Sequence, residues 1–220
     1  MPFDDGYPQL RFNPTLLAGA AAPLVYVFAV VLGGWLTPGY RHTAAPISAL
    51  IMADAPAASV VGPLFIAYNV LVIVFAAGLT PAFRRVGVAI SPLPSLVLVL
   101  TGLAGLAIGV YPMDPIGAAV TRTGAIHIGL SAVASLATML AVLIVALPLR
   151  RRPAWRRLAG YSLASLIVIF SSGGLAAMAA ARGSAVMGLW ERMTIGTFLL
   201  WMMALALVLL LRSPRPLRRD

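Results

Sequence analysis

Six stretches of this chain, residues 14–36, 57–79, 91–111, 124–147, 158–181 and 193–211, stay almost wholly apolar for the length that crosses a bilayer. A hydrocarbon core about 30 Å thick takes about 20 residues of α-helix. Strands that cross a membrane alternate between lipid and lumen, so uninterrupted runs of this length exclude a barrel. The pattern predicts an all-α polytopic membrane protein: a bundle of six transmembrane helices over residues 14–211, with an N-terminal segment 1–13 and a basic tail 212–220. Composition agrees, because only 10% of the 220 residues are charged and 61% are hydrophobic, whereas a soluble domain carries about 25% charged residues. The first run follows MPFDDGYPQLRFN, which lacks a strongly basic start, and it exceeds the roughly 7–15 residues of a signal-peptide core. It is expected to remain as an anchor.

Orientation is read from the arginines, since all sixteen basic residues are Arg. Twelve fall at one end of the predicted bundle: Arg11, Arg84, Arg85, Arg150, Arg151, Arg152, Arg156, Arg157, Arg212, Arg215, Arg218 and Arg219. Four fall at the other: Arg41, Arg122, Arg182 and Arg192. Short arginine-rich loops stay in the cytoplasm, so both termini are expected inside (N-in/C-in) in a multi-pass protein of the cell inner (cytoplasmic) membrane. The basic loop LRRRPAWRR and the tail are expected to meet lipid headgroups; no nucleic-acid partner is predicted.

The arginine-poor end carries the unusual residues. Residues 111–127, YPMDPIGAAVTRTGAIH, form a polar break between two apolar runs and read as a lid. Residues 37–56 are too long for a turn and too polar to span; within them PISALIMADAP predicts a short interfacial helix, with Ile47, Leu50 and Ile51 on one face. Residues 181–193, ARGSAVMGLWERM, complete the set. Asp114, His127, Glu191 and Arg192 are expected to meet there, Asp114 pairing with Arg192 or Arg122, because scarce charges near lipid are stabilised by one another.

Deeper in the runs there is no acid or base at mid-depth, which argues against proton relays and gating charges. The most polar buried residues are Tyr68, Asn69 and two hydroxyl stripes: Ser131, Ser135 and Thr138 below His127, and Ser162, Ser165 and Ser172 on the fifth helix. Two readings stay open for the stripes, helix packing through small hydrogen-bonding residues, or a polar cavity descending from the lid. Gly102, Gly105 and Gly109 on the third helix suit close helix approach.

Absent residue types exclude several chemistries. The chain has no lysine and no cysteine, so P-loop, Schiff-base and thiolate mechanisms are out. Two histidines and three carboxylates at one end match the stoichiometry of a catalytic zinc, but their spacing is not diagnostic, and neither a metal nor a cofactor is predicted. The candidate ligand-binding residues are Asp114, His127, Glu191, Arg192, Arg122, Ser48, Ser131, Tyr68 and Asn69. They suit the binding or handling of a lipid or small amphiphile at an outward-facing polar rim. The alternatives are a metal-dependent or acid/base hydrolase acting on lipid, and a structural subunit of a membrane complex. The partners expected are membrane lipids, with a homo-oligomer or another membrane protein also open.

Four short motifs stand in order along the chain. They are P-I-S-A-L (Pro46, Ile47, Ser48, Ala49, Leu50), Y-P-M-D (Tyr111, Pro112, Met113, Asp114), G-x-x-H (Gly124, His127) and G-L-W-E-R (Gly188, Leu189, Trp190, Glu191, Arg192). Together they make the chain resemble the bacterial and archaeal membrane family catalogued as domain of unknown function 998. The resemblance covers nearly the whole chain and implies a six-helix bundle. It implies no activity.

Overall fold

The computed structural model describes residues 13–212, so the expected N-terminal segment and basic tail lie outside the described residues apart from Asn13 and Arg212. Six helices follow one another: α1 (Pro14–Leu36), α2 (Ala58–Arg85), α3 (Leu93–Val110), α4 (Arg122–Leu149), α5 (Arg156–Ala181) and α6 (Met187–Arg212). All six are long and apolar enough to cross a membrane, and the protein is a multi-pass helical membrane protein. Each helix packs on the next, and α6 closes the ring on α1. The outward faces are apolar: Phe28, Ile167, Phe170, Leu200 and Leu211 are all exposed, as a lipid-facing surface requires.

Local chemistry sets the helix ends. Asn13 caps α1 through its side-chain oxygen, which accepts from the N–H groups of Thr15 and Leu16, and Pro14 supplies a first-turn residue that needs no partner. At the C-terminal end of α5, Gly183 adopts φ +61°, and the Ser184 N–H donates to the Ala179 carbonyl. That left-handed stop suits glycine. The short helix expected after the first span is present as a 3-10 turn, Ile47–Ile51, whose Ile47 and Leu50 are buried against α1 and α2.

Two boundaries differ from the sequence reading by more than two residues. α2 continues past residue 79 to Arg85, carrying Pro81 within it, and α6 begins at Met187 rather than 193. Glu191 and Arg192 therefore stand on the first turns of α6, not in a loop. Charge had marked the edge of the apolar run, but a helix near its N-terminus accommodates charged residues when side chains and backbone close by can bond them.

The bundle is solid in one half and hollow in the other. Around the arginine-rich end, Phe75, Phe83, Val145, Leu149, Trp201, Met202 and Leu205 are fully buried in one continuous core. Here Arg212 stacks 4.3 Å over the Trp155 ring and donates to the Ala154 carbonyl, tying the end of α6 to the α4–α5 loop. Toward the other end, the rim, the helices part around a cavity of about 810 Å³ that touches every one of the six.

Candidate functional site

The cavity wall contains Tyr26 from α1, Tyr68 and Asn69 from α2, Thr101 and Gly105 from α3, His127, Ser131, Ser135 and Thr138 from α4, Gly173 and Ala177 from α5, and Glu191 and Phe198 from α6. Ser48, in the 3-10 turn, lies on it as well. A volume near 800 Å³, apolar overall with a few polar groups, falls in the range of small-molecule sites.

Tyr68, Asn69, His127 and Thr138 are each less than 9% exposed. Asn69 donates to the Phe65 carbonyl at 2.8 Å, and its amide side chain packs on Gly105, where any Cβ would collide with it. Gly102 plays the same part against Ile73, whereas Gly109 has open space in front of it and faces the cavity. The ring of Tyr68 meets Tyr26 edge on. Its hydroxyl makes no hydrogen bond among the described residues, and neither does that of Thr138. His127 Nδ1 lies 2.9 Å from the Tyr111 carbonyl. A carbonyl can only accept, so Nδ1 carries a proton, and Nε2 is left without a protein partner on the cavity wall.

The two hydroxyl stripes turn out to do different work. On α5, Ser162 donates to the Leu158 carbonyl and accepts from Trp201 Nε1 at 2.9 Å, while Ser172 bonds Thr194 at 2.8 Å. That stripe packs α5 on α6. On α4, Ser131, Ser135 and Thr138 all line the cavity together with His127.

The mouth is framed by the four motifs, which are joined to one another. Glu191 Oε2 accepts from the Ile47 N–H at 2.7 Å, linking G-L-W-E-R to P-I-S-A-L. Ser48 Oγ lies 3.0 Å from Met113 Sδ, linking P-I-S-A-L to Y-P-M-D. The His127 bond to Tyr111 then links Y-P-M-D to G-x-x-H, where Gly124 also packs against the Asp114 carboxylate. Gly188 is needed for close approach, since a Cβ there would meet the carbonyls of Ala45 at 2.5 Å and His42 at 2.7 Å.

The expected single cluster of charges is not formed. Asp114 accepts from the Thr121 N–H at 2.8 Å and from the Thr121 hydroxyl at 2.7 Å, and Thr121 in turn caps α4 through the Gly124 N–H. Those Thr121 bonds hold the carboxyl below its ordinary pKa. Asp114 is a lid fastener, with both oxygens engaged. Arg122 is exposed and makes no bond among the described residues. Arg192 donates instead to the Tyr40 hydroxyl at 2.7 Å, to the carbonyls of Ala45 and Gly188, and to His42 Nδ1 at 3.2 Å. Backbone and phenol oxygens at residues 40–46 outcompete the distant carboxylate, because they lie directly over the start of α6. Partial burial and then the Arg192 charge keep the His42 pKa below the ordinary imidazole value; burial raises that of Tyr40. Among the described residues no three His, Asp or Glu side chains converge as a metal-binding group.

Of the residues named from sequence, Ser48, Tyr68, Asn69, His127, Ser131 and Glu191 therefore share the cavity wall. Asp114, Arg122 and Arg192 stand outside it. Sequence reasoning left out the aromatic lining of Tyr26, Phe65 and Phe198, which reads as ordinary apolar span and carries no distinguishing signal.

A six-helix membrane bundle with a cavity at one end is the class of protein that fold and site define. The family model described as "Protein of unknown function (DUF998)" matches residues 20–208, and the chain belongs to that family. No curated protein and no solved structure is significantly similar to it.

Proposed function

We propose that the protein binds a lipid or small amphiphile within the six-helix cavity, with the polar part of the ligand held by Tyr68, Asn69, Thr138 and His127. The observation that carries this reading is a cavity of about 810 Å³ whose wall includes two largely buried residues, Tyr68 and Thr138, with hydroxyls that have no hydrogen-bond partner among the described residues. Buried polar groups are costly unless bonded, and a ligand hydroxyl, amide or ester is of the right chemistry to bond them. Phe65, Phe198 and Ile169 supply the apolar remainder of the wall. On the arginine distribution, the mouth opens at the outer face of the inner membrane.

Native mass spectrometry of the protein released from a mild detergent, followed by lipid extraction, tests it. We expect about one amphiphile retained per chain. Gly62 lines the cavity and a Cβ there meets nothing within 4 Å, so Gly62→Phe should place its ring in the site and reduce occupancy at least tenfold. Loss of one hydrogen bond in Tyr68→Phe, about 1 kcal/mol, corresponds to roughly fivefold weaker binding. Equal lipid content in the wild type and Gly62→Phe would show that only the outer surface binds lipid, and would overturn the reading.

A further inference from the structure

The cavity wall is not equally closed all round. Ser135, Ala177 and Ala180 line the cavity yet are themselves exposed, and all three lie along the seam between α4 and α5. Gly129 and Gly174, on the same two helices at the same level, have nothing within 4 Å of where a Cβ would stand. Open space therefore lies beside both helices at this level.

The seam does not end there. On α4, Ser131, Ser135, Met139 and Leu143 follow at intervals of four and share a face; on α5, Ala177, Gly174, Phe170 and Ile167 do the same at intervals of three and four. Met139, Leu140, Leu143, Leu166, Ile167 and Phe170 together form a wholly apolar groove of about 410 Å³ on the outer surface. The cavity side wall and the surface groove are thus successive parts of one line. From Ser131 to Leu143 that line runs roughly 18 Å at about 1.5 Å per residue.

We propose that the α4–α5 seam is a lateral portal through which a long-chain lipid of the surrounding leaflet enters. Its polar part passes between Ser135 and Ala177 to Tyr68 and Thr138, and its hydrocarbon chain stays outside in the Met139–Phe170 groove. This rests on the amphiphile reading above. Two features point to such a ligand: Tyr68 and Thr138, 6% and 8% exposed, line the cavity with hydroxyls that have no hydrogen-bond partner among the described residues, and the α4–α5 line continues from the cavity wall into a wholly apolar groove. A second copy of the chain fits less well. A helix with its side chains is about 10 Å across, too wide to follow the line from the surface groove between α4 and α5 into the cavity.

The test uses the full chain in nanodiscs doped with a phosphatidylethanolamine that carries a photoactivatable diazirine near the end of one acyl chain. After illumination, peptide mass spectrometry should place adducts on residues 139–143 and 166–170. Gly174→Phe, whose Cβ meets nothing within 4 Å, should reduce those adducts at least tenfold while adducts on the outer face of α1 persist; Ala177→Phe on the next turn should act alike. Adducts spread evenly over all outward faces would overturn the portal, as would Gly174→Phe and Ala177→Phe leaving the pattern unchanged. If the retained amphiphile of the preceding section is then still present, the portal alone has failed; if it is missing from the wild type, the binding reading has failed. Cross-links joining the seams of two chains would overturn the portal in favour of a dimer interface.

Discussion

At the residue scale, a hydroxyl in an apolar run is ambiguous until its partner is known. Ser162, Ser165 and Ser172 have the same spacing logic as Ser131, Ser135 and Thr138, and a one-dimensional pattern cannot say which stripe meets a tryptophan and which meets a space. Ser162 accepts from the Trp201 indole, and both residues are fully buried. Ser162→Ala would leave that N–H buried and unpaired. Interhelical hydrogen bonds in membrane proteins average about 0.6 kcal/mol, but an orphaned buried donor costs more, so a loss of roughly 1–2 kcal/mol is expected. The Ser165 hydroxyl makes no hydrogen bond among the described residues, and Ser165→Ala should be close to neutral. Thermal unfolding in one detergent compares the two; equal midpoints would remove the Ser162–Trp201 bond from the account. Asp114 gives the converse lesson. Its acidity drew attention as a candidate ligand, yet Thr121, seven residues on, satisfies both of its oxygens.

At the scale of elements, the start of α6 organises the rim. Its first turns place Gly188 under the carbonyls of His42 and Ala45, the Leu189 N–H on the Thr43 carbonyl, Glu191 on Ile47 and Arg192 across residues 40–45. G-L-W-E-R and P-I-S-A-L, separated by about 140 residues in sequence, are thus two sides of a single joint. The motifs were visible in the sequence, but their pairing was not, because nothing local specifies which loop covers which helix start. Arg192 is a planar fork with four acceptors, three in the 40–45 loop and one on α6, which a lysine point charge cannot span. Arg192→Lys is therefore expected to destabilise nearly as much as Arg192→Ala, by about 2–4 kcal/mol, since several partly buried bonds to a charged donor are lost. The unfolding midpoint in detergent checks it, and a wild-type midpoint for Arg192→Lys would mean that charge alone suffices.

For the molecule as a whole, apolar run length was sufficient to anticipate six helices, because nothing but a helix satisfies its own backbone in lipid. The hollow was not legible, since cavity and core draw on the same apolar alphabet; only where Phe75, Trp201 and Leu205 fill one half, and Gly109, Gly173 and Ala177 thin out the other, does the difference appear. The arginines give an expectation for which side of the membrane receives the cavity mouth. Among the described residues, the solid end holds Arg84, Arg85, Arg150, Arg151, Arg152, Arg156, Arg157 and Arg212, and the rim holds Arg41, Arg122, Arg182 and Arg192. Eight against four, in short loops, favours the solid end in the cytoplasm. The natural absence of cysteine makes this directly measurable with single substitutions at exposed positions, Ala118 in the lid and Ala154 in the α4–α5 loop. In intact cells a membrane-impermeant maleimide should label Ala118→Cys and spare Ala154→Cys, which should react only after permeabilisation. The reverse pattern would put the mouth in the cytoplasm and would require any amphiphile to reach the cavity from the inner leaflet instead.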